Sequence, residues 1–127
     1  MSDRIRNIAL ISSAGAGKTH ALTLRFLFLY LNKRNYPLDS LYGITFTNEA
    51  AFEMKERILR YLNLLIENNP KSELEEDVIE YFQKYFPNLK ERARHKKRYL
   101  LNNLSELNIS TFHSLFASFL STIPFAA

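Results

Sequence analysis

The chain has 127 residues, of which 46% are hydrophobic and 24% are charged, and it contains no cysteine. This length suits one domain or part of one, and the composition excludes a wholly disordered chain. The missing cysteines exclude a disulfide scaffold, a cysteine-ligated zinc site and a thiol nucleophile. A formal net charge of +4 is compatible with nucleic-acid or nucleotide binding but does not require it.

The hydrophobic pattern predicts neither a signal peptide nor a membrane span. The first apolar run, residues 8–11, is short and leads into a polar loop that contains glycine. The longest apolar stretch, residues 21–31, is interrupted by Arg25 and falls short of the roughly 20 residues that a spanning helix needs. Together with the missing cysteines, this pattern predicts a cytoplasmic protein with no membrane partner.

The first half of the chain alternates between predicted strands and helices. Residues 5–11 include a continuous apolar run, which is typical of a strand buried on both faces of a parallel sheet. Residues 18–32 are apolar nearly all round, as expected of a helix packed between a sheet and other helices. Residues 41–46 predict a second strand. Asn48 is expected to cap a helix over residues 49–67, which has apolar residues at helical spacing.

The second half of the chain is predicted to be mostly helical. Ser72, with Glu75 three residues later, matches a capping box. Helices are predicted over residues 72–86, 88–104 and 113–121, and a short strand over residues 108–111. This order predicts an α/β fold for residues 1–127, with a partial parallel sheet and a helical insertion, at about residues 70–105, between the second and third strands.

A glycine-containing loop separates the first strand from the first helix. The loop holds two of the three glycines in the chain, and it reads Ser12-Ser13-Ala14-Gly15-Ala16-Gly17-Lys18-Thr19. A strand before the loop and a helix after it are the context that a Walker A phosphate loop requires. The Walker A pattern is met at its last three positions, whereas Ser12 stands where the first glycine is usual.

The chemistry of this loop suits the phosphate chain of ATP. Glycine lets backbone N–H groups approach a phosphate closely, and the start of the helix contributes roughly half a positive charge. Lys18 is expected to reach the β- and γ-phosphates, and the hydroxyl of Thr19 is expected to bind Mg²⁺. A tight strand-to-helix turn capped by Thr19 is the alternative, but it does not explain the lysine.

Three segments together resemble the superfamily 1 DNA helicases of the UvrD/Rep type, which include the RecB/AddA nuclease-helicases. Residues 13–19, with Leu22 and Arg25 beyond them, are similar to motif I of that family. Residues 45–58 are similar to motif Ia, and residues 111–114, Thr-Phe-His-Ser, are similar to motif Ib. The resemblance covers essentially the whole chain and implies a P-loop NTPase fold of the RecA type.

The resemblance implies a motor that uses ATP and walks 3′ to 5′ along single-stranded DNA in replication, repair or recombination. By position in the motifs, the residues implied to contact the strand are Phe46, Thr47, Asn48, Thr111, Phe112 and His113. An aromatic ring offers a base a stacking platform, and polar groups at helix starts donate to phosphate and sugar. A place in the hydrophobic core is the alternative for both phenylalanines. Glu49 departs from the family, which often has lysine there.

ATP hydrolysis in this family also needs an Asp-Glu pair at the end of a buried strand. The aspartates of the chain, Asp3, Asp39 and Asp77, do not follow an apolar strand in this way. We therefore expect the chain to be the N-terminal part of a motor whose remainder includes a second RecA-like domain. Alone, it is expected to bind nucleotide weakly or not at all, and to show no appreciable ATPase or unwinding activity.

Two other functions remain open from the residues alone. One is a different P-loop enzyme, such as a small nucleotide kinase. The other is a non-enzymatic module that binds nucleic acid or another protein chain through the helical insertion. That second possibility depends on a basic run, residues 90–98, with a net charge of +5, which follows an acidic run, residues 73–80, with a charge of −5. Two solvated helix faces are the simpler explanation of both runs.

Overall fold

The computed structural model describes residues 8–11, 16–32 and 35–122. Within these ranges the strands are β1 (Ile8–Ile11), β2 (Leu41–Thr45) and β3 (Asn108–Thr111). The α-helices are α1 (Ala16–Leu31), α2 (Asn48–Glu67), α3 (Glu73–Tyr85), α4 (Leu89–Asn102) and α5 (Phe112–Ser121). Short 3₁₀ turns at Leu38–Ser40 and Leu104–Glu106 precede β2 and β3. Four of the predicted phosphate-loop residues lie outside the described ranges, namely Ser12, Ser13, Ala14 and Gly15.

The strands form one parallel sheet in the order β1-β2-β3. Ile11 of β1 lies opposite Ile44 of β2, and Thr45 of β2 lies opposite Thr111 of β3. Helices α2, α3 and α4 connect β2 to β3 along the chain. The prediction of an α/β fold with a small parallel sheet is therefore confirmed.

The first strand differs from its prediction. Ile8 and Leu10 pack against the core, but Ala9 and Ile11 are exposed, so β1 is not buried on both of its faces. In the described structure, core residues pack on one face of β1 only. An apolar run of four residues does not show whether one face or both faces of a strand are covered.

The core lies between the sheet and the helices α1 to α4. Its largest fully buried side chains come mainly from α1 and α2, with contributions from α3 and α4, and include Phe26, Tyr30, Met54, Ile58, Tyr61, Phe82 and Leu100. Gly43 in β2 allows α2 to approach the sheet closely, because a Cβ there would lie 2.6 Å from Ile109 Cδ1 and 2.8 Å from Met54 Cε.

Helix α4 is attached to the far end of α1 by polar contacts. The Tyr30 hydroxyl donates to the carbonyl oxygen of Lys96 at 2.7 Å. The guanidinium of Arg92 donates to the carbonyl oxygens of Leu31 and Asn32, and to Asn35 Oδ1 at 2.9 Å. The Arg92 bonds satisfy carbonyl groups that the end of α1 leaves without intrahelical partners.

The starts of α2 and α3 are set by hydroxyl caps. Ser72 Oγ accepts from the N–H of Glu75 at 3.2 Å, as the capping-box pattern predicts. The prediction of Asn48 as the cap of α2 is wrong, because the helix already includes that residue. Thr47 has the extended backbone of a cap, and its Oγ1 accepts from the N–H of Ala50 at 3.0 Å.

Candidate nucleotide and nucleic-acid site

Three helix starts meet at the carboxyl edge of the sheet. Because β1, β2 and β3 are parallel, their last residues, Ile11, Thr45 and Thr111, lie at the same edge. The helices α1, α2 and α5 begin shortly after those residues. The edge therefore gathers the positive ends of three helix dipoles, and it is where open α/β sheets bind ligands.

The first turn of α1 carries the described part of the predicted phosphate loop. Lys18 is exposed, and its neighbour Thr19 is buried. The space beside Gly17 is open, since a Cβ built there would have no described neighbour within 4 Å. Packing in the described structure therefore does not require glycine at this position. The close approach of a ligand to the backbone would explain why glycine is present.

Lys18 also lines an open cavity of about 350 Å³ beside β1, together with Arg25 and Ile11. The two cationic side chains lie on one side of α1, seven residues apart, which is two helical turns. This arrangement can attract an anion to the exposed face of β1 and the start of α1.

Two phenylalanines stand at the carboxyl edge directly after paired strand residues. Phe46 follows Thr45 and Phe112 follows Thr111, and 57% and 52% of their respective surfaces are exposed. Their rings are stacked, with an interplanar angle of 19° and centroids 6.5 Å apart. A place in the core of the described structure is thereby excluded for both rings. They form an aromatic pair that is open to solvent.

The threonines at this edge hold the backbone in place. Thr45 Oγ1 donates to the carbonyl oxygens of Thr47 and Ser110, at 3.1 and 3.4 Å, and so joins the ends of β2 and β3. Thr111 Oγ1 accepts from the N–H of Ser114 at 3.1 Å and donates to its Oγ at 2.9 Å, which caps α5. The hydroxyls of the capping threonines, Thr47 and Thr111, thus accept hydrogen bonds from the first backbone N–H groups of α2 and α5.

Two other predicted site residues are exposed in the first turns of α2 and α5. Asn48 is the first residue of α2, and His113 is the second residue of α5. Both are on helices that start beside the aromatic pair. Glu49 is exposed next to Asn48 and lines a shallow cavity with Phe52 and Glu53, so this part of the edge carries negative charge. Carboxylates there reduce the attraction for a phosphate backbone.

The described residues contain no group of three or more histidine or acidic side chains that could hold a metal ion. The donor that the sequence offers for Mg²⁺ is the hydroxyl of Thr19, in the first turn of α1 and next to Lys18 in the chain. A hydroxyl donor suits a hard cation that is shared with substrate phosphates, so this position fits the expected ion.

Residues 4–126 match the family model described as the UvrD/REP helicase N-terminal domain. The chain belongs to the UvrD/REP helicase family. No solved structure matches it. In addition, no helix within the described ranges is long and apolar enough to cross a membrane.

Curated relatives of this UvrD/REP domain match over about half of the chain. An ATP-dependent helicase/nuclease from Clostridium beijerinckii is 42% identical over 67 residues, which are 52% of the chain and 5% of the relative. A probable DNA helicase II homolog from Mycoplasma capricolum is 41% identical over 56 residues, 44% of the chain and 8% of the relative. The ATP-dependent DNA helicase Rep of Buchnera aphidicola is 38% identical over 55 residues, 43% of the chain and 8% of the relative. The matched segments therefore cover less than a tenth of the length of these relatives.

The UvrD/REP domain also contains a polar cluster that sequence reasoning missed. His20 Nδ1 lies 3.0 Å from the hydroxyl of Tyr61, and the two rings meet edge to face with centroids 5.8 Å apart. The pKa of His20 is lowered, first by burial and then by the positive charge of Arg57. Nη1 of Arg57 is buried and has no hydrogen-bond partner in the described structure. The cluster joins the start of α1 to α2, and its residues are too far apart in the chain for a local motif to reveal it.

Proposed function

We propose that this chain contributes ATP and DNA contacts to an ATP-dependent DNA helicase. The motor acts on single-stranded DNA in replication, repair or recombination, and it moves 3′ to 5′. The observation that carries the proposal is the meeting, at one sheet edge, of the α1 start with the exposed pair Phe46 and Phe112. The matching family model and the names of the relatives support the same function.

In this proposal the loop of residues 12–19 binds the phosphates of ATP within a RecA-type P-loop fold. Lys18, which is exposed in the first turn of α1, binds the β- and γ-phosphates through its ammonium group. Thr19 holds Mg²⁺ through its hydroxyl. The ion neutralises charge on the phosphate oxygens when it is bound.

The DNA strand passes across the carboxyl edge beside the nucleotide. Bases stack on the rings of Phe46 and Phe112, which are exposed and lie next to each other. Asn48 and His113 donate to the sugar-phosphate backbone from the first turns of their helices. Thr47 and Thr111 position those helix starts through their caps. Thr47 is exposed and contacts the strand through its hydroxyl, whereas Thr111 is buried, donates its proton to Ser114 Oγ and contributes through the position of α5.

The 127-residue chain alone hydrolyses little ATP in this proposal, because none of its aspartates supplies the acidic pair at a strand end. Asp39 lies in the turn before β2, and Asp77 lies within α3. The catalytic carboxylates and a second RecA-like domain come from the remainder of the motor. Steady turnover by this chain that Lys18→Ala abolishes would contradict the proposal.

The DNA part of the proposal is tested by fluorescence anisotropy with labelled oligo(dT). Phe46→Ala and Phe112→Ala are each expected to weaken binding by about 5-fold to 100-fold, because one stacked base contributes roughly 1–3 kcal/mol. Neither change removes a charge, so the salt dependence of binding should stay the same.

The matched control is Tyr85→Ala, which removes an aromatic ring of similar exposure, 49%, from α3. The control is expected to bind oligo(dT) as tightly as the unchanged chain. Equal affinity of both phenylalanine variants and the unchanged chain would show that the aromatic pair does not bind bases.

A further inference from the structure

The outer face of α4 carries a row of positive side chains, here named the basic ridge: Lys90, Arg94, Lys97 and Arg98. Lys90, Arg94 and Arg98 are exposed, and Lys97 is half-buried. Their spacing of four, three and one residues places them on one side of the helix, about 12 Å long from Lys90 to Arg98. The buried residues of α4, including Leu89, Ala93 and Leu100, lie on the other side.

The remaining cations of α4 have structural roles and do not belong to the ridge. Arg92 donates to carbonyl oxygens at the end of α1. Lys96 is half-buried, and its Nζ lies 5.0 Å from the centroid of the Tyr30 ring. Burial and the nearby charge of Arg92 lower the pKa of Lys96. The run of residues 90–98 therefore divides into an inner pair, Arg92 and Lys96, that contacts α1, and an outer set of which three members are exposed and one is half-buried.

The ridge is not neutralised by the acidic run of α3. None of the four ridge residues forms an ion pair with a carboxylate in the described structure, although Glu91 is exposed on the same helix and five acidic residues occur between Glu73 and Glu80. Four neighbouring positive charges without carboxylate partners repel one another, and a bound polyanion would reduce this repulsion.

The ridge is also remote from the carboxyl edge. Helix α1 starts at that edge, and its 16 residues place its last turn about 24 Å away. Helix α4 packs against this last turn through Arg92. A DNA segment held by the aromatic pair is therefore not in the same place as one that contacts the ridge.

We propose that the basic ridge binds the phosphate backbone of DNA at a second place, separate from the strand across the carboxyl edge. A helix face about 12 Å long with no aromatic or amide group among its cations contacts backbone charge without reading bases. The choice of DNA among polyanions rests on the proposed function, whereas the existence of an anion-binding face rests on the ridge itself.

The test compares two triple variants of the same net charge. Lys90→Ala/Arg94→Ala/Arg98→Ala removes three ridge cations, and Arg60→Ala/Lys71→Ala/Lys84→Ala removes three exposed cations from elsewhere. Alanine is the best helix former, so the ridge variant should keep α4, which circular dichroism would verify. Binding of each chain to long oligo(dT), and to a duplex with a single-stranded tail, is measured by anisotropy over a range of salt concentrations.

The ridge variant is expected to bind about tenfold more weakly or worse. The slope of log K against log salt concentration should become shallower by about 2 on oligo(dT), because each lost contact with a single strand contributes about 0.7. The control triple variant should keep the slope of the unchanged chain. An equal loss in both variants would mean that only net charge matters, and an unchanged slope in the ridge variant would mean that the ridge does not touch DNA; either result overturns the proposal.

Two further measurements distinguish this proposal from binding at the strand site alone and from general attraction of polyanions. Phe46→Ala/Phe112→Ala should weaken binding with no change in slope, so a failure of the strand site and a failure of the ridge give different patterns. Polyglutamate provides the second measurement. If the ridge variant loses as much affinity for polyglutamate as for DNA, the face attracts any polyanion and the DNA assignment is overturned.

Discussion

The carboxyl edge of the sheet and the helical core, meaning the buried side chains of α1 to α4, use aromatic residues in opposite ways. At the edge, Phe46 and Phe112 are about half exposed and contact each other. In the helical core, Tyr30, Tyr61 and Phe82 are at most 1% exposed. Side chains of similar chemistry thus contribute to stability in one region and remain accessible in the other.

This difference indicates which residues contribute most to the free energy of unfolding and which residues are available to bind ligands. Burial of apolar surface stabilises the helical core. The edge is held instead by a few hydroxyl caps and by strand pairing, with its large rings in water. Mutations should therefore separate stability from DNA binding according to the region that they change.

The largest expected effect is on the core. Phe82→Ala should lower the free energy of unfolding by about 3–5 kcal/mol, because it removes a fully buried ring that contacts Tyr81 and Phe86. Phe46→Ala should lower it by less than about 0.5 kcal/mol, since that ring is mainly exposed. Urea denaturation of both variants measures the contrast, and similar losses would show that the two regions do not differ as described.

The next effect concerns the junction of α1 and α4. Arg92→Ala should cost about 1.5–3 kcal/mol, because charge-assisted hydrogen bonds to the last carbonyl groups of α1 are lost. Arg92→Lys should recover only part of this loss, since lysine lacks the planar fork that reaches several acceptors. Arg94→Ala, on the exposed face of the same helix, is the control and should change stability little. Equal stability of Arg92→Ala and Arg94→Ala would contradict this role.

A smaller effect compares helix caps in the two regions. Thr47→Ala and Ser72→Ala each remove a hydroxyl that accepts from a backbone N–H, so each should cost about 0.5–2 kcal/mol of stability. Thr47→Ala should also weaken oligo(dT) binding, because α2 starts beside Phe46, whereas Ser72→Ala should not. Parallel denaturation and anisotropy measurements test this. Equal DNA affinity in the two variants would remove Thr47 from the site.

Sequence patterns predicted most elements, and they did so where a local signal was strong. Proline and the capping box placed α3 and α4 within one or two residues of their observed bounds. The cap of α2 was assigned one residue late, because threonine and asparagine are both good caps and both stand at the end of β2. Only the backbone conformation, extended at Thr47 and helical at Asn48, distinguishes them.

The parts of the site that sequence could not predict depend on contacts between distant residues. His20 and Tyr61 meet because α1 packs beside α2, and no local pattern encodes that contact. For the basic run, residues 90–98, the sequence likewise did not show which cations face the core. Charge counting treated Lys96 and Arg98 alike, but packing against Tyr30 holds one inward and leaves the other in solvent. The phosphate-loop assignments of residues 12–15 lie outside the described ranges and stay predictions.

The smallest predicted effect is a pH dependence of stability at the cluster that joins the two regions. Burial and the charge of Arg57 lower the pKa of His20 below its ordinary value, so the unfolded chain binds this proton more readily than the folded one. As pH falls below about 6.5, the unfolded state gains protons first, and stability is lost until the folded-state pKa is passed. Above that range neither state is protonated at His20, and the contribution does not change.

His20→Gln should therefore flatten the loss of stability between about pH 7.5 and pH 5.5, measured as the urea midpoint at each pH. His95 and His113 are present in both proteins, so their contributions cancel in the comparison. Arg57→Gln should leave a smaller loss than in the unchanged chain, because burial remains as a cause while the repelling charge is gone. A steeper loss in His20→Gln would mean that the protonated imidazole is the favoured form, and that α1 and α2 are joined by a different interaction from the one between His20 and Tyr61.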